Sequence, residues 1–196
     1  METYEAITTR RSTRSYKPDA VEQEKLNKVI EAGRFAPSGG NNQTNHFLIV
    51  RDKAVLEKLA TLAENAFAKM EVTEETYSSL KTSILLSKKG GYVFHYNAPV
   101  LIIVANQKDY GNNLADCAVA VENMMIEANE LDLGSCWINQ IHWLTEDAAI
   151  LNYLRELGLK ENERVYASMA LGYAKSADGK PNRKALPRKG NEVTYI

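Results

Sequence analysis

Between Ala98 and Ala105 the chain runs through eight residues without a polar side chain. At its centre, Val100-Leu101-Ile102-Ile103-Val104 suits an extended strand, because β-branched side chains pack well on a pleated surface. A strand with no polar position has no face to show to water, so both faces must be covered. Helical patterns supply the covering layers. Leu26, Val29 and Ile30 recur at helical spacing between Glu22 and Gly33, with Gly33 near the expected end. Val55, Leu56, Leu59, Leu62, Ala63 and Ala66 mark a second amphipathic helix. Leu114 to Leu131 is the longest helical pattern and is expected to stop at Gly134. Thr145 to Leu157 predicts another, with Thr145 as N-cap and Glu146-Asp147 in the first turn. Tyr4 to Thr9 predicts a short one. Further strands are expected at Phe47–Val50, Ser135–Ile138 and Val165–Leu171. Met70 to Tyr96 mixes a helical pattern with Lys88-Lys89-Gly90-Gly91, which would suit a mobile insertion. Helices interleaved with few apolar strands imply an α/β or α+β layered fold. We read residues 1–196 as one domain.

Charge and composition exclude several functions. The 196 residues carry 24 Lys and Arg against 25 Asp and Glu, a formal net charge of −1. That disfavours a nucleic-acid partner and a polybasic membrane-surface role. Eight apolar residues do not span a bilayer, which needs about 20 in a helix. Met1-Glu2-Thr3-Tyr4-Glu5 lacks the basic and apolar regions of a secretory signal, so a cytoplasmic setting is expected. Cys117 and Cys136 have neither zinc nor disulfide-framework spacing and read as small buried hydrophobes. His46, His95 and His142 have no metal-ligand spacing, and no metal is expected. Phosphate-loop, dinucleotide, zinc-protease and nucleophile-elbow patterns are absent. With no candidate side-chain nucleophile or metal, chemistry would have to come from a borrowed cofactor.

Two polar clusters remain. Arg10, Arg11, Ser12 and Arg14 place three guanidiniums and a hydroxyl within five positions. Such a set suits a phosphate dianion, through bidentate forks and an extra donor, or else it is a solvated basic patch. Pro37-Ser38-Gly39-Gly40-Asn41-Asn42-Gln43 combines adjacent glycines with amide side chains. It could bring backbone close to a flat ligand and pair with a pyrimidine-like edge, or simply be a flexible helix-to-strand loop.

Taken in order, the motifs resemble the FMN-dependent nitroreductase family over nearly the whole chain. They are Ile7-x-x-Arg10-Arg11-Ser12-x-Arg14, Ala36-Pro37-Ser38-x-x-Asn41-x-Gln43, Ala98-Pro99-Val100, Leu133-Gly134-Ser135-Cys136-Trp137-Ile138 and Leu171-Gly172-Tyr173. The resemblance implies a mixed central sheet of four or five strands flanked by helices. It also implies an obligate homodimer with FMN at the interface and a domain-swapped C-terminal tail, residues 176–196, on the partner chain. By position, Arg10 and Ser12 would hold the FMN phosphate, with Arg11 nearby, partly through its backbone. Arg14 would approach the N1/O2 side of the isoalloxazine. Pro37, Ser38 and Asn41 would line the ring from the neighbouring chain. Ile138, Asn139 and Gln140 would face the N5/O4 edge, mainly through backbone N–H groups. Arg188 and Lys189 would add a second basic contact to the phosphate.

The implied activity is ping-pong hydride transfer from NADH or NADPH, through the flavin, to a nitroaromatic, a quinone or a similar small acceptor. Dehalogenation, azoline oxidation and flavin degradation on the same fold are the nearest alternatives. A non-catalytic flavin-binding module is another.

Overall fold

The computed structural model describes all residues, Met1–Ile196. In chain order the elements are α1 (Thr3–Thr9), α2 (Gln23–Arg34), β1 (His46–Val50), α3 (Lys53–Ala68), α4 (Ser78–Lys89) and β2 (Val100–Gln107). There follow α5 (Asn113–Glu130), β3 (Gly134–Ile138), α6 (Gln140–Trp143), α7 (Ala148–Glu156) and β4 (Glu163–Gly172). The strands form one sheet in the order β1-β2-β4-β3. All three pairings are antiparallel. Strand-direction parity explains this. Two helices separate β1 from β2 and two separate β3 from β4. One helix returns a chain ready for a parallel strand; a second reverses it again. The expected mixture of strand directions is therefore confined, within one chain, to a parallel bridge between Ser12 and Ser135.

The apolar run behaves as its composition demands. Val100, Ile102 and Val104 pack with Val29 of α2 and Val121 and Met124 of α5. Leu101, Ile103 and Ala105 face the other way, into Leu59 and Phe67 of α3, Ile84 of α4 and Ile150 of α7. The period of two thus divides one strand between two apolar layers. On β4 a register shift lets Ala105 pair with Val165 and Val104 with Ala167. The bulge passes over Tyr166 and keeps each neighbour on its own face.

Several local expectations need correction. Gly33 lies one residue before the end of α2, near the expected end, but not as a cap: an added Cβ would sit 2.8 Å from Met124 Cγ. Close approach of α2 to α5 is what this position requires. Gly134 does not stop α5. Asp132 does, at φ 62°, with Leu133 N–H donating to the Ala128 carbonyl at 2.8 Å. Gly134 instead opens β3, where a Cβ would meet Thr13 Oγ1 at 2.7 Å. Asp147, not Thr145, caps α7, accepting from Ala149 and Ile150 N–H. Thr145 is buried and donates to the His142 carbonyl. Within 70–96, α4 packs Ser83, Ile84 and Ser87 inward, so this stretch is built into the layer over α3.

No helix is long and apolar enough to cross a membrane. After β4, Ala174 bridges Tyr16. Lys180 and Arg183 both pair with Asp132, at 2.9 and 2.7 Å. From Lys184 onward every residue is exposed, including Leu186, Val193, Tyr195 and Ile196.

Candidate functional site

β3 is an edge strand, paired only with β4. Its other edge is met by the segment leaving α1. α1 is held by Asn129 of α5, whose Nδ2 donates to the Ala6 carbonyl and to Thr9 Oγ1, both at 3.0 Å. Thr13 N–H then donates to the Ser135 carbonyl at 2.8 Å. The Tyr16 hydroxyl donates back to the Thr13 carbonyl at 2.7 Å. Burial pushes that phenol's pKa far up, so it stays neutral. The result is a rigid strip carrying the basic cluster along the open edge of β3.

The cluster's side chains are not equivalent. Arg10 Nε is buried and makes no hydrogen bond; its nearest carboxylate, Glu122, lies 3.5 Å away. Ser12 and Arg14 are exposed. The Arg11 guanidinium, by contrast, donates to a carbonyl from each of its three nitrogens. Nε donates to Lys184 at 2.9 Å, Nη2 to Thr8 at 2.6 Å and Nη1 to Arg10. Arg11 therefore ties α1 to the tail, and its side chain is not free for a ligand.

The same edge leads to Ile138, Asn139 and Gln140. The Ile138 carbonyl accepts from Ser168 Oγ at 2.8 Å. Trp137 Nε1 donates to Asn139 Oδ1 at 2.5 Å. The Gln140 side chain turns inward, to Tyr92 and Ser83. The backbone N–H groups of Asn139 and Gln140 find no acceptor within the chain. Three residues of strand separate Ser135, beside Ser12, from Ile138, about 10 Å of rise. The strip thus suits a ligand with an anionic end and a hydrogen-bonding edge about that far apart.

The second cluster lies elsewhere. Gly39 N–H reaches the Asp116 carboxylate at 3.2 and 3.3 Å. Tyr110 Oη sits 2.9 Å from Asp116 Oδ2 and 3.0 Å from the Gly39 carbonyl. Asn45 Nδ2 donates to the Asp116 carbonyl and its Oδ1 accepts from Asn106. Against this clamp the loop takes left-handed backbone at Gly40, Asn41 and Gln43, with φ of 58, 56 and 52°. Ser38 Oγ accepts Gln43 N–H, and Asn41 Oδ1 accepts Gln43 Nε2, both at 3.0 Å. At Asn41 and Gln43, which carry a Cβ, strain of this kind, at about 1–3 kcal/mol per residue, persists only where surroundings enforce it. Pro37, Ser38 and Asn41 line a cavity of about 580 Å³ with Phe35, Asn45 and Phe47.

One chain does not unite the two clusters. Asp116 and Asn129 sit on α5 at opposite ends, about 20 Å apart along its axis and about 140° apart around it. Arg188 and Lys189 are exposed beyond the docked part of the tail, whereas Lys180 and Arg183 are committed to Asp132.

Asp116, Tyr110, Ser83 and Tyr92 escaped the sequence reading. Asp116 left one signal: a carboxylate in the apolar stretch Leu114-Ala115-Asp116-Cys117-Ala118-Val119. Such a residue is buried only with partners. Both cysteines are free and buried, and burial pushes the Cys117 thiol up to about 12. His46 bonds Glu163, His142 bonds the Val165 carbonyl, and burial lowers the pKa of His95.

Comparisons with known proteins agree on one kinship. A family model described as the nitroreductase family matches residues 7–173. A nitroreductase of Bacteroides fragilis, solved with bound FMN, is 36% identical with a TM-score of 0.86, covering 100% of this chain and 99% of that one. A nitroreductase of Desulfitobacterium hafniense, also with bound FMN, is 25% identical with a TM-score of 0.81 and the same coverage. An Archaeoglobus fulgidus protein, provisionally named NADH dehydrogenase/NAD(P)H nitroreductase, is 29% identical over 173 residues. The match covers 86% of this chain and 83% of that protein.

Proposed function

This chain belongs to the nitroreductase family, and on that premise we propose that it is an FMN-dependent oxidoreductase working as a homodimer. Bound FMN would supply the two-electron chemistry, taking a hydride from NADH or NADPH and passing the electron pair to a nitroaromatic, a quinone or a similar small acceptor. The observation that carries this reading is the β3 edge. There an Arg10 Nε with no hydrogen bond and only a loose ion pair to Glu122, free Ser12 and Arg14 side chains and two unmatched backbone N–H groups follow one another within a family fold.

The donor set fits the cofactor. Arg10 and Ser12 would grip the phosphate; Arg10 surrenders only a half-exposed contact with Glu122, worth at most about 1 kcal/mol. Arg14 would hold positive charge beside N1/O2, which favours an anionic ring. Asn139 and Gln140 would donate backbone N–H groups to the N5/O4 edge. Arg11 serves from behind, fixing the strip and the tail. Pro37, Ser38 and Asn41 would line the ring of the partner's pocket, since their own chain keeps them at the far end of α5. The exposed Val193, Tyr195 and Ile196 give the tail an apolar end that a second copy would cover. Arg188 or Lys189 would then reach a phosphate.

The test uses the purified protein reconstituted with FMN. We expect a yellow dimer that oxidises NADH or NADPH in the presence of a quinone or nitroaromatic, with parallel initial-rate lines. A colourless, folded protein that takes up no FMN from excess would overturn the proposal. A yellow one that never oxidises either nucleotide would reduce it to a flavin-binding module.

A further inference from the structure

We propose that Tyr92 and Ser83 are positioning residues: they lock the Gln140 side chain, and through it the Asn139–Gln140 backbone that presents its N–H groups to the flavin. The proposal rests on FMN occupying the β3 edge as described above.

Gln140 is the first residue of α6 and its side chain is buried. Its Nε2 donates to Tyr92 Oη at 2.9 Å and to Ser83 Oγ at 3.3 Å. Tyr92 Oη and Ser83 Oγ are 2.9 Å apart, and Ser83 Oγ lies 3.2 Å from the Ser79 carbonyl. That carbonyl can only accept, which fixes the direction of every proton in the chain. Ser83 donates to Ser79, Tyr92 donates to Ser83, and Gln140 donates to both. Burial raises the Tyr92 pKa, so the phenol keeps its proton. The amide is thereby held in one orientation by a network with no unmatched donor, the condition in which buried polar groups rigidify a structure.

The anchor itself is firm. Tyr92 N–H donates to Glu64 Oε1 at 2.8 Å, and its ring packs edge-on against Phe67 at 6.3 Å. Tyr77, just before α4, packs edge-on against Trp143 of α6, also at 6.3 Å. The 77–92 segment therefore grips α6 at both its first and last residues. A hydrogen-bond donor aimed at developing charge works only if it need not reorganise. The residues that prevent reorganisation here come from the 70–96 stretch, whose sequence pattern suits a mobile insertion.

Tyr92→Phe keeps the ring and removes the oxygen. In the FMN-loaded protein, oxidised flavin should bind within about twofold of the unaltered chain, because the phosphate grip is untouched. The preference for reduced over oxidised flavin should fall about three- to tenfold, read as a lower midpoint potential. Amide exchange at Asn139 and Gln140 should quicken by a similar factor. Ser83→Ala should move both readouts the same way by less. In a Gln140→Leu background Tyr92→Phe should add nothing, since the shared contact is already gone. An unchanged potential and unchanged exchange in Tyr92→Phe would overturn the proposal, as would full additivity with Gln140→Leu. Should Tyr92→Phe fail to fold, Ser83→Ala decides by the same two measurements. If the unaltered protein binds no FMN, the functional reading falls instead. Amide exchange at 139–140 in the flavin-free protein then still judges the lock.

Discussion

The two ends of α5 hold polar clusters in opposite ways. At the N-terminal end, the 37–43 loop is strained, and a buried carboxylate, a phenol and two asparagines clamp it. At the C-terminal end, the Arg10–Arg14 strip is extended chain braced by Asn129; Arg11 is engaged by carbonyls, but Ser12 and Arg14 are exposed and Arg10 keeps only a loose ion pair with Glu122. One end stores its shape; the other stores unspent hydrogen-bonding capacity. On the function proposed above, each would be half a pocket, and two chains would be needed to bring a clamped loop against an open strip.

Asp116→Ala should produce the largest effect. It removes hydrogen bonds to a charged group and leaves the half-buried Gly39 N–H and Tyr110 hydroxyl without that acceptor, a loss of about 3 kcal/mol in urea denaturation. A loss under about 1 kcal/mol would show that the loop holds its shape unaided.

Arg10→Ala should weaken FMN binding by about 1.5–3 kcal/mol, roughly ten- to a hundredfold in fluorescence titration, with stability nearly unchanged. Arg11→Ala should reverse that pattern. Its guanidinium serves carbonyls of Thr8, Arg10 and Lys184, so limited proteolysis of the tail should quicken while FMN affinity shifts less. Equal loss of affinity in both variants would erase the distinction between them.

Deleting residues 185–196 should weaken dimer association in sedimentation, yet leave the Lys180 and Arg183 pairs with Asp132 in place. An intact FMN-loaded dimer would mean that the apolar end anchors nothing.

The smallest effect concerns acid. Burial opposes ionisation of Glu163, but bonds from His46 and Lys160 N–H bring its pKa below the usual carboxylate value. At Asp132, burial likewise opposes ionisation and is outweighed by Lys180 and Arg183. A lowered folded pKa gives stability that is complete above the ordinary carboxylate range and lost as pH falls through the folded value. Urea midpoints should therefore hold near neutrality and drop on acidification below about pH 4.5. Glu163→Gln and Asp132→Asn should each flatten part of that slope and show which end of α5 loosens first.

Much of the fold was legible locally. The apolar run fixed a two-faced central strand, and spacing located α2, α3, α5 and every strand. Misreadings came where a residue's partner is remote. Gly134 looked like a helix stop, but Thr13 is what needs its missing Cβ. Thr145 looked like a cap, but Asp147 reaches the free N–H groups and Thr145 serves His142. The candidate site divides in the same way. Its residue types and order were visible in the motifs, whereas the difference between Arg10 and Arg11 was not. Arg11 is spent on a carbonyl 173 positions away, and the loop's clamp lies 77 positions from Gly39.

By itself the sequence determined periodicity, and periodicity determines which face of each element meets oil and which meets water. Strand direction, the engagement of one arginine by carbonyls beside another with no hydrogen bond at its Nε, and the clamping of a strained loop were decided only when distant segments met. Hydrogen bonds are short-ranged and directional, so no local pattern encodes which donor finds which acceptor.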